Sequence, residues 1–274
     1  MSTSDLYASF DLTGRIALVT GGTSGIGRAC VDRLNAYGAT VVATCLEGVD
    51  DPDAALASFN GRKDITVEPL DLRSTESMQR CLDNVLGAQG RIDILVNNAA
   101  VGSATVNSWA RDQETQDSVM LDINADGTLK MCQKFLALPD SKNKKLINIS
   151  SVGGGIAAFP GFRLSDGMSK AAVAFLTRQL AAEAVQLNVD IFAICPGATN
   201  TPMFEASTLS KMSASEKKDF LKGLPKGRLI EPEEIAGLVH FLASPAARVL
   251  HGAVIDASMG LGVRPGLMSE YGSN

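Results

Sequence analysis

Between a short apolar run, Ile16 to Thr20, and an amphipathic stretch, Gly25 to Tyr37, the chain turns through Thr20-Gly21-Gly22-Thr23-Ser24-Gly25-Ile26-Gly27. Glycines there let the backbone turn tightly and come close to a bound group. The helix that follows offers free N–H groups and a partial positive charge at its start. A glycine cluster alone is weak, and a plain glycine-rich turn is the alternative. With a strand before it and a helix after it, the cluster predicts a phosphate-cradling loop at the edge of a doubly wound sheet.

The rest of the chain repeats that alternation. Ala39 to Thr44, Ile65 to Leu70, Ile92 to Val96, Lys145 to Ile149 and Asp190 to Ile194 read as strands, the near-continuous apolar runs among them as strands buried on both faces. Helices are expected from Ser74, an N-cap, to Leu86, from Arg111 to Leu138, from Ser165 to Leu187, and from Pro232, where a missing N–H costs nothing. The expectation is one α/β domain over residues 1–274: a Rossmann fold, a doubly wound parallel sheet of about seven strands flanked by helices. A less regular segment, 201–226, reads as a lid, and 262–274 as a C-terminal tail.

Composition narrows the classes of partner. A formal net charge of −5 and only short basic clusters, such as Lys142, Lys144 and Lys145, argue against nucleic acid. No apolar run approaches the ~18 residues of a membrane span. Five cysteines without a Cys-x-x-Cys and two histidines, His240 and His251, argue against a metal site or a disulfide framework and for a reducing cytoplasm. A small-molecule substrate is the expected partner.

Several motifs in order resemble the short-chain dehydrogenase/reductase family. Its Thr-Gly-x3-Gly-x-Gly loop matches Thr20 to Gly27, its Asn-Asn-Ala-Gly is nearly matched by Asn97 to Ala100, and its Pro-Gly with a later threonine matches Pro196, Gly197 and Thr201. The likeness runs from about Leu12 to Gly260. It implies a nicotinamide cofactor held by Gly21, Thr23, Ser24, Gly25, Ile26, Gly27, Thr44, Cys45, Asp71, Leu72, Asn98, Ala99, Lys170, Pro196, Gly197, Thr199 and Thr201. An acid at the end of the second strand would hold the adenosine ribose and repel a 2′-phosphate. Here Cys45 stands at that position, with Leu46 next, which favours NADP(H) over NAD(H), although Ser24 replaces the basic residue that NADP-dependent relatives carry in the loop.

The resemblance also implies a catalytic set of Asn, Ser, Tyr and Lys. Asn124, Ser151 and Lys170 match three of them, with Asn124 supporting a water and the lysine. Four residues before Lys170, the place of the tyrosine is taken by Asp166. The three tyrosines, Tyr7, Tyr37 and Tyr271, all lie far from it in sequence, and the stretch from Ser151 to Asp166 is about two residues longer than in the family.

A carbonyl that receives hydride becomes an alkoxide and needs an acid or oxyanion donor. An ionised Asp166, expected to pair with Lys170 one turn along the helix, supplies neither. An iminium carbon needs neither, because hydride neutralises a cation. The expected activity is therefore NADPH-dependent reduction of a C=N or iminium-type substrate, with Asp166 as counter-ion or proton relay. The pattern is similar to fungal indole-alkaloid bifunctional reductase/Diels-Alderases, which links it to alkaloid biosynthesis and to a cyclisation in an apolar pocket lined by Trp109, Met168, Met203 and Phe204. Two alternatives stand beside it: a ketoreductase with a protonated Asp166, and a cofactor-binding protein without turnover, in which Asp166 only complements the helix dipole. The family resemblance further implies a homodimer or homotetramer.

Overall fold

The computed structural model describes residues 10–139 and 143–264. Seven parallel strands are ordered β3-β2-β1-β4-β5-β6-β7: β1 (Ile16–Val19), β2 (Thr40–Leu46), β3 (Ile65–Leu70), β4 (Ile94–Asn97), β5 (Lys144–Ile149), β6 (Val189–Pro196) and β7 (Val254–Ala257). The order reverses between β1 and β4, which leaves a crevice at their carboxyl ends. Every residue of β1, β4 and β5 is buried, as strands covered on both faces require.

Two helix layers provide the cover. On one face α1 (Gly25–Ala36) packs against α10 (Pro232–Ala243), with Leu34, Val239 and Leu242 wholly buried between them and the sheet. On the other lie α3 (Thr75–Gln89), α6 (Thr128–Ala137) and α7 (Leu164–Glu183), whose Met78, Phe135 and Ala181 meet Leu18, Leu95 and Leu146. Between them the chain adds α2 (Pro52–Ala57), α4 (Ser103–Trp109), α5 (Gln113–Leu121), α8 (Pro202–Ser207) and α9 (Ala214–Gly223).

One expectation changes. The single helix from Arg111 to Leu138 is α5 and α6 joined by a π-helical turn, Asp122–Gly127. Gly127 is needed there because a Cβ would press on the Cβ and carbonyl of Leu72, 2.9 and 3.0 Å away. Of the short basic cluster, Lys142 lies outside the described residues, and Lys144 and Lys145 are turned inward. Both side chains are buried, Lys145 Nζ on Asp190 at 2.6 Å and Lys144 Nζ on the Leu138 carbonyl at 2.5 Å. A buried lysine survives only with such partners.

All five cysteines are buried and free. His240 and His251 are tied to the backbone carbonyls of Phe10 and Ala181, each at 2.8 Å, away from the crevice. Among the described residues no cluster suits a metal, and no helix is long and apolar enough to cross a membrane.

Candidate active site

The carboxyl ends of the strands open into a cleft of about 1450 Å³. Of the residues singled out from sequence, all but Gly27 and Asn124 line it. Met168 does not line it either: it points outward and is 60% exposed, whereas Trp109, Met203 and Phe204 form part of the wall.

The glycine loop is held by its neighbours. Gly21 and Gly25 have positive φ, +61° and +52°, a conformation that side chains rarely tolerate. A Cβ on Gly27 would collide with the Gly21 carbonyl and the Asn98 amide, so this glycine sets helix-to-loop packing from behind. Asn98 clasps the loop, its Nδ2 donating to the carbonyls of Thr20 and Gly21, both at 3.1 Å. Thr20 Oγ1 in turn accepts the N–H groups of Asn98 and Ala99, both at 3.0 Å. At the start of α1 the N-cap Ser24 makes no side-chain cap and the first turn carries no acid. Its donors thus have no capping side chain, as a site for a pyrophosphate requires.

At the β2 end Thr44 is buried, and its hydroxyl accepts the Gly21 N–H at 3.0 Å, which binds the strand to the loop. Cys45 is buried, and burial raises its thiol pKa. Asp71 is held by Arg73, whose hydrogen bonds lower the carboxyl pKa, and Leu72 lies beside it.

Sequence reading missed Asp50. Its Oδ2 accepts the Leu46 N–H at 2.8 Å and it lines the same corner. The acid absent at position 45 thus has a substitute in the following turn, which the replacement of that acid by Cys45 did not foresee. Among the described residues no cation pairs with it: the cationic residues of the cleft wall are Arg163, Lys170 and Lys211, and Arg28 is turned to Asp32 and Ser58.

At the end of β6, Pro196 and the Gly197 that follows it enter the cleft floor. Gly197 leaves no room for a side chain, since a Cβ would sit 3.0 Å from Ser258 Cα. Thr199 Oγ1 donates to the Gly197 carbonyl at 3.0 Å. Thr201 caps α8 by accepting the Phe204 N–H at 3.2 Å, and its methyl lies against Gly25. The segment 201–226 folds as α8, a short 3₁₀ turn and α9, with Phe204 and Phe220 ring centroids 6.1 Å apart across it.

The matched catalytic positions divide. Ser151 follows β5, and its Oγ accepts the Gly153 N–H at 3.2 Å, which leaves the hydroxyl hydrogen to donate. Lys170, on α7, sends Nζ to the Ile149 carbonyl at 3.3 Å. Burial lowers its pKa, and the charge of Asp166 opposes that shift. Asn124 stands apart: within the π-helical turn its side chain is spent on Val101, accepting from N at 2.8 Å and donating to O at 3.0 Å. It braces the wall beside Ala99 and Val101 instead of facing the cleft.

Asp166 faces the cleft from the first turn of α7, without a hydrogen bond or ion pair to its carboxylate among the described residues. The expected contact pair with Lys170 is not formed, although the two charges are coupled. Burial raises the Asp166 pKa, and Lys170 and then Arg163 pull it back down. Among the described residues no tyrosine lines the cleft: Tyr37 stacks on His240 at 3.9 Å, and Tyr7 and Tyr271 lie outside the described residues.

The lengthened stretch before Asp166 contributes Phe159 and Phe162 to the wall. Gly154, at φ +89°, lets it lie against Gly167, whose carbonyl a Cβ would strike, and Gly153 accommodates the Phe162 ring. The triplet Gly153-Gly154-Gly155 was the available signal for this close approach.

The family sequence model described as enoyl-(acyl carrier protein) reductase matches residues 21–262. The chain is 33% identical to oxidoreductase UcpA of Salmonella typhimurium over 89% of this chain and 94% of that one. It is 31% identical to the 3-oxoacyl-[acyl-carrier-protein] reductase FabG of Thermotoga maritima over 91% and 98%. The solved Pseudomonas aeruginosa RhlG/NADP active-site complex superposes with a TM-score of 0.80 at 29% identity, covering 93% of this chain and 98% of that one. Glycine loop, sheet order and these likenesses agree: the chain belongs to the short-chain dehydrogenase/reductase family of oxidoreductases.

Proposed function

We propose that the protein is an NADP(H)-dependent reductase of a C=N or iminium-type small molecule, with Asp166 as the counter-ion. The observation that carries this reading is a half-buried carboxylate that, among the described residues, has no partner and faces a cleft lined by no tyrosine. The bound nicotinamide supplies hydride. Asp166 attracts the cationic carbon–nitrogen group, an interaction strengthened where the wall excludes water. Phe159 and Phe162 add ring faces that favour a cation. Ser151 offers one donor and Lys170 a fixed positive charge at the β5–α7 side. Cys45 in place of an acid supports NADP(H), and Asp50 opposes it. A following cyclisation, of Diels-Alder type, would draw on wall shape and not on an acid.

A second reading has its own observation. Because burial raises the Asp166 pKa, the group has a route to protonation and to donation onto a carbonyl oxygen. The carbonyl-directed name of the FabG relative favours it too.

NADPH consumption with a cyclic iminium and with the ketone of the same shape separates the two. Turnover of the iminium alone, falling about tenfold or more in Asp166→Asn, is the expected result. Ketone turnover that depends on Asp166 supports the second reading, and iminium turnover unchanged in Asp166→Asn would falsify the first.

A further inference from the structure

Arg163 ends the lengthened stretch before α7, and every nitrogen of its guanidinium has an oxygen partner. Nε donates to Asp117 Oδ1 at 2.8 Å and to Ser165 Oγ at 3.1 Å. One terminal nitrogen reaches Asn107 Oδ1 at 3.0 Å; the other reaches Gln116 Oε1 at 3.1 Å and Asp117 at 2.7 Å. Ser165 closes the ring by donating to the same Asp117 oxygen at 2.6 Å. One side chain thereby ties α4, α5 and the first turn of α7 together, and it also lines the cleft.

We propose that Arg163 is a positioning residue for substrate: its fork holds the Phe159–Phe162 wall and the first turn of α7 so that the Asp166 carboxylate faces the reacting group. A planar fork with fixed partners does this in a way that lysine cannot copy. The inference rests on the reading of Asp166 as the group that meets substrate.

Its charge acts alongside its shape. Asp166 is faced by Lys170 from its own helix and by Arg163 from the loop. Asp117 of α5 stands behind Arg163, and Cys195 of β6 behind Lys170. Burial pushes the carboxyl pKa up and the two cations hold it down, so loss of the Arg163 charge moves ionisation of Asp166 to higher pH.

The test is the pH profile of kcat/KM in Arg163→Gln, Arg163→Lys and Asp117→Asn, beside Asp166→Asn as reference, each checked for folding by thermal melt. In the wild type an acid limb is expected that vanishes in Asp166→Asn. Arg163→Gln should move that limb upward by about half a pH unit or more. Arg163→Lys should leave the limb in place and raise KM several-fold, because it keeps the charge and loses the fork. Asp117→Asn, which removes a neighbouring negative charge, should move the limb downward and serves where Arg163→Gln does not fold. A limb abolished by Asp166→Asn yet unmoved in the folded Arg163→Gln or Asp117→Asn variant overturns this inference alone, as does an Arg163→Lys enzyme with wild-type KM. A limb that survives Asp166→Asn overturns the reading of Asp166 and this inference with it.

Discussion

Asp50 takes the Leu46 N–H with its own carboxylate at the end of β2, the corner where the adenosine ribose of the proposed cofactor would lie. A 2′-phosphate bound there would compete with that carboxylate for the same donor and be repelled by it, and among the described residues no arginine or lysine pairs with Asp50 to offset the repulsion. At about 4 Å two unit charges interact by about 1 kcal/mol in water and about 4 kcal/mol near a protein surface. Asp50→Ser should therefore raise the ratio of kcat/KM for NADPH over NADH by about tenfold, a change of about 1.4 kcal/mol. Steady-state kinetics with the two cofactors reads it, and an unchanged ratio shows that Asp50 lies too far from the ribose to matter. This residue was invisible in the sequence because its role depends on a turn, 46–50, that folds a carboxylate back onto its own strand end. Asn124 shows the opposite case: the residue was found, but its amide is used up by the Val101 backbone in a π-helical turn that no periodicity announces. Ser151, Asp166 and Lys170 were legible through the family resemblance, whose motifs hold each at a set offset from a strand end or along one helix face.

Elements with a strong repeat or a buried apolar run were read well, and short helices and the edge strand β7 were not. The glycine loop and α1 follow directly from the pattern, and β3 matches its expected span, Ile65–Leu70. The helices α2 and α4, six and seven residues long, are too short to show a period, and α2 buries none of its residues. No span was assigned to β7, an edge strand only partly buried, so it lacks the apolar run of the central strands. The glycine-rich turn after β5 carries a prediction at this scale. Gly154 combines φ +89° with an approach to the Gly167 carbonyl that excludes a Cβ. Gly154→Ala should cost about 2 kcal/mol or more, from left-handed strain and from displacement of α7. Since α7 carries Asp166 and Lys170, the melting temperature should fall by several degrees and kcat/KM should fall with it. Gly161→Ala, also at positive φ (+77°) but with nothing within 4 Å, is the control for strain without collision. Equal losses in the two variants would mean that the contact with Gly167 contributes nothing.

Across the whole molecule, α7 faces two environments. Its inner side meets the sheet through Val173, Thr177 and Ala181, all buried, and its first two turns carry Asp166 and Lys170 to the cleft. Its outer side leaves Leu164, Met168 and Phe175 exposed at 82%, 60% and 64%, and their spacing puts them on one stripe. Single exposed apolar side chains are ordinary, but three in register along one helix form a patch that a second copy covers more readily than water does. We therefore propose that this face closes a homo-oligomer, in which the stripe meets itself across a twofold axis as an isologous contact requires. Phe175→Glu then places like charges opposite each other at that axis. Size exclusion with light scattering should show the wild type at a multiple of the 28.7 kDa chain mass and the variant at one chain mass. Because the same helix presents Asp166 and Lys170, loss of the contact should also raise KM for substrate while the variant stays folded. A wild type that elutes as a monomer, or a variant that stays assembled, would show that the stripe is not the contact.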